Sequence, residues 1–191
     1  QNGAAFVATW KIAQSFGAKL LLRIDDLDAE RVRPEYVVDI FETLRWLGIV
    51  WDEGPKDAND LNAHCSQHLR LARYVSLIDQ LREGGHLYAC DCSRAMIAQR
   101  GGSMEYDGHC RERKLDMDLP EVAWRLRLPK KGTVAMRTWP SDDIQQMPLD
   151  QADPVIRQRN GRPAYQIASL SDDVDFNIDL IVRGSDLQPS T

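Results

Sequence analysis

The sequence predicts an α/β domain with a parallel sheet, interrupted by a small cysteine-bearing insertion. Three observations carry this expectation. The run "KLLLRID" at 19–25 is apolar without alternation and ends in charge, the pattern of a strand buried on both faces. A helical segment precedes it and another follows it, an order typical of α/β domains. From about residue 86 to 160 the apolar runs shorten and alternate, and three of the four cysteines lie there.

Residues 4–16 place Phe6, Val7, Trp10, Ile12, Ala13 and Phe16 at helical spacing, and Gly17 supplies a stop. "RPEYVVDIFETLRWLG" reads as an amphipathic helix. Pro34 suits its first turn, Glu35 its positive end, and Gly48 closes it; Val37, Ile40, Phe41, Leu44 and Leu47 form the apolar stripe. After "IVW" and the turn "DEGP", a long helix is expected from Gln67 to Arg82, ended by "GG". "AWRLRLP" and "TVAMRTW" alternate like strands, and "VIRQRNGRPAYQIA" predicts a hairpin turning at Asn160-Gly161. "DLIVRGSDLQPST" reads as a strand returning to the sheet, followed by the start of a helix. The expected domains are therefore 1–85 and 161–191 for the α/β part and 86–160 for the insertion. With a helix opening the chain and an abrupt end, the sequence is expected to be a piece of a longer protein.

Composition narrows the class. The chain has 191 residues, 43% of them hydrophobic and 28% charged, as in an ordinary globular protein. No run of about 18 apolar residues suggests a membrane span, and the opening "QNGAAFVATWKIAQ" lacks a secretory pattern. A cytoplasmic location is expected. The net charge of −5 gives no support for non-specific nucleic-acid binding, although a local basic face can act alone. Arg111, Arg113, Lys114, Lys130, Lys131, Arg157, Arg159 and Arg162 could supply one.

"YACDCSRAMIAQRGGSMEYDGHC" carries the clearest chemistry. Without a secretory signal, Cys90, Cys92 and Cys110 are expected to be reduced thiolates for a metal. Zinc takes four ligands in a tetrahedron, so one more is required. His109, His86 and Tyr106 are nearby, and ligand chemistry alone favours a histidine. With no open position, the site would be structural. A second cluster, Arg23, Asp25, Asp26 and Asp28, lies at a strand's carboxyl end, where open α/β sheets bind ligands.

"LLLRIDDLDAERVRPEYVVDIFETLRWLGIVWDEGP", "CSQHLRLARY", "RPAYQIASLSDD" and "DLIVRGSDLQPST" together resemble the catalytic domain of class I glutamyl- and glutaminyl-tRNA synthetases. The resemblance is nearest to the short branch that includes glutamyl-Q tRNA(Asp) synthetase. It implies a Rossmann-type parallel sheet with a zinc-stabilised insertion of the acceptor-binding kind. It also implies a ligase that activates glutamate with ATP and Mg²⁺ and transfers it to tRNA, tRNA(Asp) for the glutamyl-Q type, acting as a monomer. Asp25 takes the position that holds the substrate ammonium, where the bacterial family usually has glutamate. Tyr165 lines the pocket, Arg183 pairs with the side-chain carboxylate, and Ser169 matches a position often filled by asparagine. The same resemblance assigns the metal to Cys90, Cys92, Tyr106 and Cys110, with His109 as the alternative fourth ligand. The family's two ATP signature motifs, one rich in histidine and one in lysine, are expected outside these residues. An ordinary glutamyl-tRNA synthetase and a degenerate RNA-binding relative are the alternative readings.

Overall fold

The computed structural model describes residues 2–28, 33–101, 106–138, 143–148 and 152–182. The chain forms two compact units: residues 1–73 with 169–191, and residues 74–168.

In the first unit, helix α1 (Asn2–Phe16) ends where Gly17 adopts φ +61°, as its sequence predicts. Helix α2 (Pro34–Trp46) begins on a proline and closes at Gly48, φ +67°. Its predicted stripe points inward: Val37, Phe41 and Leu44 are buried. Val37 and Phe41 join Ile24 and Leu61 in one apolar cluster, against which Leu22, Ile40 and Trp51 pack. The short helix α3 (Ala58–Asp60) runs into one turn of π-helix (Leu61–Cys65) and one of 3₁₀-helix (Gln67–Arg70). The regular part of the long helix predicted from Gln67 is therefore α4 (Leu71–Glu83), whose residues from Tyr74 onward belong to the second unit.

The predicted strand at 19–25 is not a regular strand. It makes one parallel bridge, Leu21 to Glu53, with hydrogen bonds Leu22 N–H to the Glu53 carbonyl (2.9 Å) and Asp52 N–H to the Leu20 carbonyl (2.8 Å). A strand is defined by its partners, and among the described residues the 52–53 turn is the one bridged partner of this segment. The turn needs Gly54 at φ +101°, because a Cβ there would lie 2.1 Å from the Leu22 carbonyl oxygen. The end of the chain differs likewise: residues 179–182 form no strand, and the remainder of "DLIVRG" lies outside the described residues.

The second unit holds a three-stranded antiparallel sheet of order β1 (Leu87–Cys90), β2 (Ala123–Leu126), β5 (Val155–Arg157). Helix α5 (Arg94–Gly101) lies between the first two in sequence, and β3 (Thr133–Thr138) and β4 (Asp143–Pro148) form a separate antiparallel ribbon. The expected turn at Asn160-Gly161 is present, with Gly161 at φ +84°, but its second arm is helix α6 (Tyr165–Asp175) after one bridge from Arg157 to Pro163. Pairing of Tyr88 with Arg125 and of Ala89 with Trp124 sets two faces by the two-residue period. Leu87, Ala89 and Trp124 join Ile78, Val122, Ile156 and Ile167 in the main core. Tyr88 and Cys90 face a second cluster with Cys92, Ile97, Tyr106 and Cys110.

Candidate functional site

The second cluster is the candidate metal centre. β1 delivers Cys90, the chain leaving it delivers Cys92, and the turn after Tyr106 delivers Cys110; all three are buried. Their sulfurs all lie within 4.8 Å of one another, and Cys92 Sγ is 3.3 Å from Cys110 Sγ. The sulfur–sulfur edge of a tetrahedral zinc site is roughly 3.8 Å, given zinc–sulfur bonds of about 2.3 Å, so the three thiols fit one ion. The Tyr106 hydroxyl accepts from the Cys110 N–H at 2.8 Å, which places an oxygen donor beside the triad. His109 and His86 are exposed and outside the triad.

The electrostatics of the cluster are divided. Burial opposes ionisation of Cys90, but the Cys92 amide, Arg125 and Tyr106 outweigh it and pull its thiol down. Burial, with Cys110 and the Cys90 charge close by, pushes Cys92 up to about 12. Burial also raises Tyr106. Such a group holds several negative charges only when a cation sits among them. Arginines surround it. Arg100 Nη2 donates to Cys92 Sγ (3.1 Å) and its Nε to Asp107 (2.8 Å). Arg113 reaches Cys110 Sγ (3.5 Å) and Asp91 (2.8 Å). Behind Tyr106, Tyr88 donates to buried Asp153 at 2.7 Å, and Arg111 binds the same carboxylate at 2.8 Å. These second-layer residues were not anticipated from the sequence.

The candidate basic face is partly engaged within the molecule. Arg111 and Arg113 hold carboxylates, Arg159 donates to the Asp91 carbonyl, and the Arg157 guanidinium lies 4.4 Å from the Trp124 ring centroid.

In the first unit the acidic run divides into two roles. Asp26 is buried and accepts from Ser66 Oγ (2.6 Å) and the Gln67 N–H (2.8 Å), an anchoring carboxylate. Asp25 stays partly exposed. Arg23 Nε (2.9 Å) and Gln67 Nε2 (3.3 Å) both donate to its Oδ1; among the described residues, nothing donates to Oδ2. Burial and the nearby Asp172 and Asp173 raise its pKa, against the pull of Arg23. Arg23 also donates to Ser169 Oγ (2.9 Å) and to Asp173, so Ser169 serves as a partner of Arg23. Buried Asp172 accepts from Gln67 Nε2 (2.9 Å) and Arg70 Nε (2.7 Å). Tyr165 is the first residue of α6, in the second unit, and is exposed; Arg183 lies outside the described residues.

Asp175 closes this network, accepting from Arg73 and Arg70. Those guanidinium groups, Arg73 first, hold its carboxyl at about 2, below the ordinary 3.8. The folded value is the lower one, so the unfolded chain takes up the proton first as pH falls. The stabilisation is complete above the ordinary value and is lost as pH drops through it toward about 2. Urea midpoints measured from pH 5 to pH 2 should therefore fall less steeply in Asp175→Asn than in the parent. Parallel profiles would show that the pair contributes nothing to acid stability.

Among the described residues, no helix is long and apolar enough to cross a membrane. A glutamyl-Q tRNA(Asp) synthetase from Nitratidesulfovibrio vulgaris is 31% identical over all of this chain, which covers 62% of that protein. A glutamate–tRNA ligase from Lawsonia intracellularis is 34% identical over 93% of the chain, which covers 38% of it. The chain thus spans less than two thirds of these relatives' length. The crystal structure of a glutamate–tRNA ligase from Elizabethkingia meningosepticum in complex with its amino acid shares the fold, at a TM-score of 0.74 and 23% identity. That match covers 97% of this chain and 41% of that one. The profile of the tRNA synthetases class I (E and Q) catalytic domain matches residues 3–191, and the chain belongs to that family.

Proposed function

We propose that this chain is the glutamate-activating part of a glutamate–tRNA ligase of the glutamyl-Q tRNA(Asp) synthetase type. In this reading the glutamate α-carboxylate attacks the α-phosphate of ATP, pyrophosphate leaves, and a tRNA hydroxyl then takes the acyl group. Bound Mg²⁺ would neutralise phosphate charge. The observation that carries the reading is Asp25: Arg23 and Gln67 fix one carboxylate oxygen, and the other has no donor among the described residues. A substrate ammonium is the natural partner for that oxygen. Tyr165 would line the pocket and Arg183 would grip the side-chain carboxylate with two parallel hydrogen bonds. Zinc at Cys90, Cys92, Tyr106 and Cys110 would have a structural role. A cytoplasmic monomer is the expected working form.

The relatives include ordinary glutamate–tRNA ligases as well, so the second reading is that type. Glutamate-dependent ATP–pyrophosphate exchange by the full-length protein separates the two. Exchange without tRNA supports the glutamyl-Q type, and exchange only with tRNA supports the ordinary ligase. A folded, zinc-loaded protein with no exchange in either condition would leave the degenerate RNA-binding reading. Asp25→Asn should raise the KM for glutamate by roughly 30-fold or more, the effect of removing one partner from a desolvated charge pair worth about 2–5 kcal/mol. An unchanged KM would remove Asp25 from the pocket.

A further inference from the structure

Arg125 is only 8% exposed, on the β2 position opposite Tyr88, and its surroundings are unusual for a buried cation. Its Nη1 donates to the backbone carbonyl of Asp153 at 2.6 Å. Its guanidinium carbon lies 3.7 Å from the Tyr106 ring centroid, and its charge favours the thiolate form of Cys90. Its Nε, also buried, has no hydrogen-bond partner among the described residues. Among the described residues, no side-chain carboxylate pairs with it. The Asp153 carboxylate is engaged by Tyr88, by Arg111 and by the Leu128 N–H. Arg100 and Arg113 differ in this respect, because each touches a thiol but also holds a carboxylate, Asp107 or Asp91.

A buried cation without an anion costs several kcal/mol. The anions that this face can offer are the Cys90 thiolate and the Tyr106 phenolate. Three thiolates and a phenolate around a dication leave a surplus of negative charge in a site closed to water, which needs a cation beyond the metal. We propose that Arg125 is a positioning residue of the metal centre: it supplies the missing positive charge beside Cys90 and Tyr106 and holds the tyrosine as a ligand. The inference rests on the zinc reading given above.

The test uses the full-length protein loaded with zinc, and separately with cobalt(II). Arg125→Gln keeps a donor for the Asp153 carbonyl and removes the charge, whereas Arg125→Lys keeps the charge. Zinc affinity, measured by competition with a chelator, should fall about 10–100-fold in Arg125→Gln, the effect expected for loss of a group that orients a ligand, and recover in Arg125→Lys. The visible spectrum of the cobalt form should change in Arg125→Gln as the tyrosine detaches, and return in Arg125→Lys. Arg100→Gln, whose charge Asp107 already balances, should alter affinity less than threefold. Equal affinity and an unchanged cobalt spectrum in Arg125→Gln, with one zinc in the parent, would overturn the assignment and leave the metal reading standing. An equal loss in Arg100→Gln and Arg125→Gln would overturn it too. A parent that holds neither zinc nor cobalt would overturn the metal reading and this inference with it.

Discussion

Cys110→Ser is expected to lower bound zinc from about one ion per chain to near zero, because a structural site holds its metal through all four ligands. Metal content after desalting measures this directly. The sulfur is buried, 3.3 Å from Cys92 Sγ and within the triad, so no other described thiol can replace it. The structural consequence should be local. The main core of the second unit (Ile78, Leu87, Ala89, Trp124, Ile156 and Ile167) contains no proposed ligand. The cluster of Tyr88, Cys90, Cys92, Ile97, Tyr106 and Cys110 consists largely of ligands and their neighbours. Amide exchange should therefore accelerate through α5 and the Tyr106–Cys110 turn, with the β1–β2 pairing protected. The thermal midpoint should fall as well, by about 4–8 °C for each kcal/mol lost in a unit of this size. Cys65→Ser is the matched control, since Cys65 lies in the other unit and outside the triad. Full zinc in Cys110→Ser would exclude the thiolate site.

The comparison of sequence and structure follows the range of each interaction. Helix α2 was legible because its evidence is local: a proline at the start, an apolar stripe at helical spacing and a glycine past the end. The cluster of Cys90, Cys92 and Cys110 was legible because these cysteines lie close in sequence; Tyr106 as the fourth ligand rests on family resemblance and belongs to the proposal. The segment 19–25 was misjudged as a strand because a strand depends on its partners, and partners are not written in its own residues. Arg125 escaped notice for another reason. An arginine in an alternating strand ordinarily marks the solvent face, and here that face is turned toward thiols. Least visible was the network joining Gln67 and Arg70 to α6, whose partners are separated by more than 100 residues.

That network should produce the largest loss of stability from a single non-cysteine change. Asp172 is 1% exposed and accepts from Arg70 Nε at 2.7 Å and Gln67 Nε2 at 2.9 Å. Gln67 is equally buried, and its Oε1 has no hydrogen-bond partner among the described residues, so the amide cannot absorb a second loss. Asp172→Ala would leave the Arg70 charge short of its most buried partner and a cavity beside it. Breaking a buried ion pair from one side costs about 3–5 kcal/mol, which should appear as a large fall in the urea midpoint of the first unit. Asp172→Asn keeps the shape and one acceptor, so its cost should be smaller, on the order of 1–3 kcal/mol. The ordering of the two variants is the informative result. Equal losses would mean that shape rather than charge holds α6 to Gln67 and Arg70. If neither variant moved the midpoint, the network would be a surface pairing without structural weight. A charge-dependent loss has a functional corollary as well. Gln67 also donates to Asp25 Oδ1, so loosening Asp172 should spread to the carboxylate proposed to hold the substrate ammonium. In Asp172→Asn the KM for glutamate should rise while the protein remains folded at 25 °C.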